Sequence, residues 1–469
     1  MQSKYKTLFS NTILFTIGSL GSKFIMFFLV PLYTNVLTTS QYGITELVLT
    51  SSNLIIPFIT LSINDSILRY SLDKNCDIRT VLKNSIIILS CSSIFLIILY
   101  PILDSFELFS NYLNYFIFIT ILQIFRSAFS VYLKSSNRIQ IYIIDSIIYT
   151  FSLAFFNIIF LLYLNKAIDG FFISQILSMI VSLIFQITIG DIYRDINIGK
   201  IDIKLLKVMI LYSTPLIANA VSWWIINSSD RYMLNYIKGA DEVGIYAVAA
   251  KMPSLVTTIT SIFSQAWIIS SINEYEDSKD EKFYSNIFGL YSNFLILTSS
   301  IVIFIIKPLM NIYVGSNFDN SWRYVPFLLL ASIFSTFTNF FAALYKSAKN
   351  NMKEVTCTFI GSIINIILNI LIIPKLGVMG AVISTLIASF FMASFSIYDT
   401  RKFFKFFIDF KKLFSSILLL LLQCFCVIKD FYPNIISIIF IFILINININ
   451  IIKNLINNLI RYFSKLHIR

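Results

Sequence analysis

The chain has 469 residues, of which 57% are hydrophobic and only 13% are charged, and its net charge is +12. Soluble domains carry about 25% charged residues, so this composition argues against a soluble globular protein. The basic residues lie mainly between apolar segments, which membrane topology explains better than nucleic-acid binding, and no nucleic-acid partner is expected.

Apolar segments of the length that crosses a bilayer, about 20 residues, recur along the chain. The first segment is too long for the apolar core of a cleavable signal peptide. We predict an all-α integral membrane protein with about fourteen transmembrane helices, at residues 8–37, 42–68, 84–103, 112–133, 139–164, 170–190, 205–235, 243–273, 283–306, 322–345, 355–373, 377–398, 413–428 and 434–452.

Prolines interrupt some of these segments. Pro57 falls in the second and Pro215 in the seventh, while Pro253 lies nearer the end of the eighth. Interrupted helices are common at transport sites, because the freed backbone groups can line a cavity.

Lysine and arginine are divided unequally between alternate loops. Of these residues, 26 fall on one side of the predicted membrane and six on the other. Because cytoplasmic loops carry the excess of basic residues, the richer side and both termini are predicted to be cytoplasmic.

The chain resembles itself at a shift of roughly 200–212 residues. The matched segments are 35–44 with 235–245, 132–137 with 344–349, and 170–174 with 380–384. Because the shift covers six predicted helices, an even number, the two halves share one orientation, as in transporters that bind substrate between parallel repeats. The alternative is chance similarity between apolar helices. We predict two parallel six-helix repeats around a central cavity plus two C-terminal helices, divided as an N-terminal bundle at 1–190, a cytoplasmic linker at 191–204, a second bundle at 205–398, and two additional helices with a basic tail at 399–469.

Several charged residues fall within the predicted spans, where each costs at least ~2.5–3.5 kcal/mol and usually faces a cavity or a partner. Arginine binds phosphate through paired hydrogen bonds and lysine binds it as a point charge. The candidate substrate-binding cations are Arg126, Lys251, Lys23 and Arg231, of which the first two have no acid within four residues. The candidate ion-coupling residues are Glu46, Asp145 and Asp230. Alternatively, a nearby carboxylate neutralises each cation, or the side chain reaches the membrane surface.

The sequence offers little for catalysis or for a cofactor. Its single histidine is His467, so neither a zinc site nor a histidine-based acyltransferase is expected. A GxxxxGK[ST] phosphate-binding loop is absent, and no external loop is long enough to carry a catalytic domain. We therefore expect no catalytic residues, no metal, no cofactor and no enzymatic activity.

Several stretches of sequence resemble a known family. They are NTILFTIGSLGSK at 11–23, QYGI at 41–44, SDRYML at 229–234, VGIY at 243–246 and LGVMGA at 376–381. These stretches are similar to the Wzx-type polysaccharide flippases, the O-antigen and capsule transporters. That branch shares a superfamily with the multidrug and toxin extrusion (MATE) exporters.

The resemblance implies a flippase that moves undecaprenyl-diphosphate-linked oligosaccharide repeat units from the cytoplasmic to the periplasmic leaflet. Alternating access would drive this step of O-antigen or other surface polysaccharide synthesis. The implied partners are the lipid-linked oligosaccharide, membrane lipids and other polysaccharide assembly proteins, and the implied location is the bacterial inner membrane. The alternatives are a small-molecule or drug exporter of the same superfamily and, with less support, a membrane polysaccharide polymerase.

Overall fold

The computed structural model describes residues 21–73, 76–105, 111–277, 281–348, 350–402, 404, 406–431 and 433–447. All regular secondary structure in these residues is helical. The first twelve helices are α1 (21–36), α2 (Thr39–Ile59), α3 (Ile63–Ser71), α4 (Ile78–Ile98), α5 (Tyr100–Asp104), α6 (Leu113–Ser135), α7 (Ile139–Asn157, with a π-helical extension Ile158–Tyr163), α8 (Ala167–Thr188), α9 (Ile192–Ile198), α10 (Ile203–Ser213), α11 (Leu216–Lys238) and α12 (Ala240–Ala249). The remaining helices are α13 (Lys251–Asp277), α14 (Glu281–Tyr313), a 3-10 helix (Ser316–Arg323), α15 (Val325–Ser347), α16 (Asn351–Leu376), α17 (Val378–Thr400), α18 (Phe410–Ile428) and α19 (Pro433–Ile447).

Polar side chains fix where several of these helices begin. Before α2, the Thr38 hydroxyl accepts from the Gln41 backbone N–H, and the Gln41 side chain accepts from the Thr38 backbone N–H. Before α4, α10 and α18, the side chains of Asp77, Asp202 and Asp409 accept hydrogen bonds from backbone N–H groups of the first turn. Each cap satisfies backbone donors that the first turn leaves without partners, a contribution of about 1 kcal/mol.

Among the described residues, eleven helices are long and apolar enough to cross a membrane, or twelve if α12 and the first part of α13 form one span bent by 41°. The prediction of an all-α multi-pass membrane protein is confirmed, whereas the predicted count of fourteen is not. The first predicted span starts outside the described residues and the last one ends outside them, as does the basic C-terminal tail.

Three segments predicted as continuous spans are interrupted in the structure. The segment 42–68 divides into α2 and α3, because Leu61 and Ser62 adopt left-handed backbone conformations between them. Pro215 lies at the junction of α10 and α11, and α12 ends at Ala249. Pro253 lacks the N–H that would bond the Ala249 carbonyl, and its ring crowds that turn, so a break four residues before it is expected.

The chain forms two compact units, Met1–Gly244 and Ile245–Arg469. In the first unit, a buried core of aliphatic side chains joins α3, α4, α6, α9 and α10, and α8 packs against α6 and α7. In the second unit, α15 is almost completely buried and packs against α13, α14 and α17. The helix α11, which the sequence assigns to the second repeat, contacts α2 within the first unit. The predicted division into repeats stays a prediction, since repeats are defined by superposition and not by contact.

Within the first unit, α2 crosses the start of α12 at two glycines. A Cβ atom on Gly43 would lie 2.0 Å from the carbonyl oxygen of Ala240, and a Cβ atom on Gly244 would lie 2.0 Å from that of Thr39. The Thr39 hydroxyl also donates to an oxygen of Asp241. Both glycines belong to the first pair of repeated segments, so the close approach of the two backbones explains why glycine recurs there.

Each unit also contains a buried aspartate bonded to a tyrosine and two cations. In the first unit, Asp195 accepts from the Tyr132 hydroxyl at 3.0 Å and pairs with Arg79 at 3.1 Å and Arg138 at 2.8 Å. This cluster ties α9 to α4, α6 and the turn before α7.

The second unit repeats the arrangement at the end of α17. Asp399 accepts from the Tyr345 hydroxyl at 3.2 Å and pairs with Lys402 at 3.0 Å and Lys353 at 3.7 Å. Both aspartates are only 2% exposed at the side chain, so each is neutralised where water is scarce.

Candidate functional site

Arg126 extends from α6 into a group of polar side chains. Its Nε donates to the Ser182 hydroxyl at 2.8 Å, and its Nη2 lies 3.6 Å from Oδ2 of Asp145. The guanidinium carbon is 3.7 Å from the centre of the Tyr149 ring, within the range of a cation–π contact. The Arg126 side chain is thus held in place while 22% of its area stays exposed.

Asp145 lies behind this guanidinium and is fully buried. Besides the contact with Arg126, it accepts hydrogen bonds from Ser182 at 2.5 Å and from the Gln186 amide at 2.9 Å. The same Gln186 nitrogen lies 2.9 Å from the Ser130 hydroxyl. A fully bonded carboxylate of this kind fixes the position of the arginine that it pairs with.

The supporting residues of this cluster were not named by the sequence. Gln175, Ser182 and Gln186 lie on one face of α8, and Gln175 accepts from the Tyr149 hydroxyl at 3.1 Å. Gln175 and Ser182 are seven residues apart, and Ser182 and Gln186 are four apart. Polar residues at these helical intervals in an apolar span share one face, so this spacing could have identified them from the sequence.

Arg231 belongs to a second pair, between α11 and α2. Its Nε lies 3.6 Å from Oε2 of Glu46, and both side chains are about one eighth exposed. The Arg231 Nη1 donates to the carbonyl of Asn227 at 2.8 Å. Asp230, the adjacent residue, is buried with only 1% of its area exposed.

Polar side chains also meet between α2 and α6. The Gln123 amide donates to Oδ1 of Asn53 at 2.8 Å, and Asn53 is exposed on α2. Gln123 lies about one turn before Arg126 on α6. The first unit thus carries polar groups along both helices inside the membrane-spanning region.

The other two candidate cations are Lys23 and Lys251. Lys23 is exposed on α1, next to Ser22, whose hydroxyl donates to the carbonyl of Ser146 at 3.2 Å, one residue beyond Asp145. Lys251 begins α13 in the second unit and is partly exposed.

The arrangement joins residues that the sequence placed in separate roles. Arg126 and Arg231 were named for substrate binding, and Asp145 and Glu46 for ion coupling, yet each cation contacts one of the acids. A guanidinium has five N–H donors, and Arg126 directs only part of them to Ser182 and Asp145. The remaining donors can bind a further anion beside the carboxylate. Among the described residues, no group of three or more acids, cysteines or histidines is placed to hold a metal ion.

Comparison with known sequences gives a family match. The model of a family described as polysaccharide biosynthesis protein matches residues 8–268. The chain is also 24% identical over 268 residues to an uncharacterized membrane protein of Methanocaldococcus jannaschii. That alignment covers 54% of this chain and 51% of the relative, so the chain spans about half the length of the curated relative that it matches.

Comparison with solved structures identifies the fold. Lipid II flippase MurJ, in an inward closed conformation, superposes with a TM-score of 0.70 at 16% identity, covering 96% of this chain and 100% of MurJ. An inward-facing multidrug resistance MATE family transporter of the MOP superfamily superposes with a TM-score of 0.66 at 12% identity, covering 81% of this chain and 95% of the transporter. At these identities the likeness establishes a shared fold.

Proposed function

The chain belongs to the polysaccharide biosynthesis protein family, and on that premise we propose that it flips undecaprenyl-diphosphate-linked oligosaccharide repeat units. The direction is from the cytoplasmic to the periplasmic leaflet of a bacterial inner membrane, by alternating access, for O-antigen or another surface polysaccharide. The similarity to a lipid II flippase supports a substrate that joins a lipid, a diphosphate and sugars. Both termini are cytoplasmic in this proposal, and other polysaccharide assembly proteins are its partners.

The observation that carries the proposal is the Arg126 site. A membrane-spanning helix holds a guanidinium charge that Ser182, Asp145 and Tyr149 fix in place, on a side chain that is 22% exposed. A diphosphate offers several oxygens at the spacing that guanidinium donors bind in pairs. Lys23, Lys251 and Arg231 are the secondary candidates for the same anion.

Loss of the gene tests the function. We expect lipid-linked oligosaccharide to accumulate on the cytoplasmic face of the membrane, and surface polysaccharide to fall, in cells that lack the protein. Chemical labelling of the glycan in inside-out and right-side-out vesicles measures the face of the membrane on which it accumulates. Normal surface polysaccharide in the deletion strain would contradict the proposal.

Substitution of Arg126 tests the site. Arg126→Ala should reduce export by roughly 10- to 100-fold at normal membrane levels, because a hydrogen-bonded charge contributes about 1.5–3 kcal/mol. Arg126→Lys should restore part of the export if charge is what matters, and none if paired hydrogen bonds are required. Arg194→Ala, at an exposed arginine of α9, is the matched control and should leave export unchanged.

A drug exporter is the second candidate, favoured by the MATE-like fold, by the buried Asp145 and by the largely buried Glu46. Exporters of cationic compounds need such acids without a fixed cation beside them. Here each acid contacts an arginine, which favours the flippase. Increased drug sensitivity of the deletion strain, with normal surface polysaccharide, would favour the drug exporter over the flippase.

A further inference from the structure

The exposed positions of α11 have an unusual composition for a membrane-spanning helix. From residue 216 to residue 235, the exposed side chains are Ala218, Asn219, Trp223 and Asn227. Asn219, Trp223 and Asn227 follow one another at intervals of four residues and therefore lie along one face. We call these three residues the polar stripe of α11.

Another helix of the same unit shows what a lipid-facing surface looks like. On α7, the exposed positions from Ile144 to the end of the helix at Asn157 are all apolar, namely Ile144, Ile147, Phe151 and Phe155. A surface of this kind meets hydrocarbon without leaving a hydrogen-bonding group unsatisfied. The polar stripe of α11 differs from this apolar surface, because two of its three residues are asparagines.

The depth of the stripe excludes a position in the headgroup region. The span that contains it runs from Ile203 to Lys238, with Lys204 and Lys207 near one end and Lys238 at the other. Trp223 is therefore near the middle of the span, whereas tryptophans that anchor helices lie at the two interfaces. Amides at this depth need water or a polar ligand.

The side chains of the stripe are arranged to face a ligand. Successive members are about 6 Å apart along the helix, which is comparable with the length of one sugar ring. The Asn227 amide donates to the Trp223 carbonyl at 2.7 Å, which holds that side chain in place and leaves its own oxygen as an acceptor. Arg231 continues the same line one turn further and donates to the Asn227 carbonyl.

The neighbouring tryptophan has a different role. Trp224 points into the first unit, where its indole N–H donates to the Thr50 carbonyl at 2.8 Å and its ring packs 5.1 Å from that of Tyr232. Of these two adjacent tryptophans, Trp224 packs α11 against α2, whereas Trp223 is exposed.

We propose that the polar stripe of α11 is the surface that recognises the glycan of the transported lipid. The Trp223 ring stacks on the C–H face of a sugar ring, and the amides of Asn219 and Asn227 bond its hydroxyl or acetamido groups. Arg231 lies one turn beyond Asn227 on the same face, where the glycan continues toward the charged groups of the substrate. This inference rests on the proposed function, and it adds the residues that bind the sugar part of the substrate.

Binding to the full-length protein in lipid nanodiscs tests the inference with two probes. The first is the pool of lipid-linked glycans extracted from source cells that lack the gene, and the second is undecaprenyl diphosphate without sugar. We expect Trp223→Ala to weaken binding of the first probe by about tenfold and to leave the second unchanged. Trp223→Tyr, which keeps an aromatic ring, should bind the first probe within about threefold of wild type.

The controls separate the possible failures. Phe151→Ala removes an exposed aromatic ring from the apolar surface of α7 and should bind both probes like wild type. Equal weakening of both probes by Trp223→Ala, or no weakening of either, would overturn the inference and leave the flippase proposal standing. Failure of the wild-type protein to bind either probe would overturn both.

Discussion

At the residue scale, the main result is that two of the candidate intramembrane cations, Arg126 and Arg231, are paired with acids. Arg126 contacts Asp145 and Arg231 contacts Glu46, in each case across a helix–helix interface. An anionic substrate that binds Arg126 must therefore compete with a carboxylate that is already there. Such competition allows binding to be strong enough for capture and still weak enough for release.

Asp145→Asn should shift this competition toward the substrate. Without the carboxylate, the Arg126 charge has less compensation, so undecaprenyl diphosphate should bind roughly tenfold more tightly while release and export slow down. Titration of the probe and an export assay measure the two effects. Asp169→Asn, an exposed acid on α8, is the control. Weaker binding in the Asp145 variant would show that Asp145 only holds the fold.

Asp195 supports the fold without entering the proposed site. Asp195→Asn removes the charge that Arg79 and Arg138 share and weakens the bond from Tyr132, at a cost of about 1–3 kcal/mol. The melting temperature in detergent should fall by several degrees. Asp191→Asn, an exposed aspartate one turn earlier, should melt like wild type. Equal melting temperatures of Asp195→Asn and Asp191→Asn would contradict the structural role of Asp195.

At the element scale, two features distinguish this chain from a bundle of straight helices. Breaks at Leu61–Ser62, Pro215 and Ala250 divide three long apolar segments into shorter helices. The crossing of α2 with α12 brings two backbones close enough that neither Gly43 nor Gly244 has room for a Cβ atom.

Alanine at Gly43 tests the crossing. A Cβ atom placed 2.0 Å from the Ala240 carbonyl oxygen forces the helices apart, which costs about 1–3 kcal/mol or more in a well-packed interface. We expect a lower melting temperature and reduced export. Gly289→Ala, on α14 where nothing lies within 4 Å, should be neutral or stabilising, since alanine favours the helix. A Gly43→Ala variant with the melting temperature of the wild type would rule out the close crossing of α2 and α12.

At the scale of the whole molecule, the internal repeat stays a prediction, and one cluster in each unit shares the same chemistry. Tyr132 and Asp195 in the first unit correspond in chemistry to Tyr345 and Asp399 in the second, at spacings close to those of the repeated segments. Cations complete both clusters. Each cluster lies at helix ends, next to a loop that the excess of lysine and arginine predicts to be cytoplasmic.

Cysteine labelling tests this orientation. In a variant without the five native cysteines, single cysteines at the exposed positions Asp104 and Asp319 should react with a membrane-impermeant reagent in intact cells. A cysteine at Lys134 should react only after permeabilisation, because its loop belongs to the basic side. Labelling at Lys134 in intact cells would invert the predicted topology.

The sequence alone determined the class of the protein and much of its architecture. Apolar length and loop charge are properties of the residues themselves, so the membrane-spanning helices were predicted before any contact was known. The family was predicted from short stretches of similar sequence, and the cations Arg126 and Arg231 were named because their charges fall within apolar segments.

Only the tertiary structure decided which of these residues meet. Nothing in the spacing of Arg126 and Asp145 indicates that they touch, or that Ser182 bonds both. The rotation of each helix about its axis and its offset from its neighbours determine such contacts, and these depend on how all the side chains of the bundle pack together. The packing also decided that Trp223 is exposed, whereas the adjacent Trp224 is partly buried and bonds Thr50.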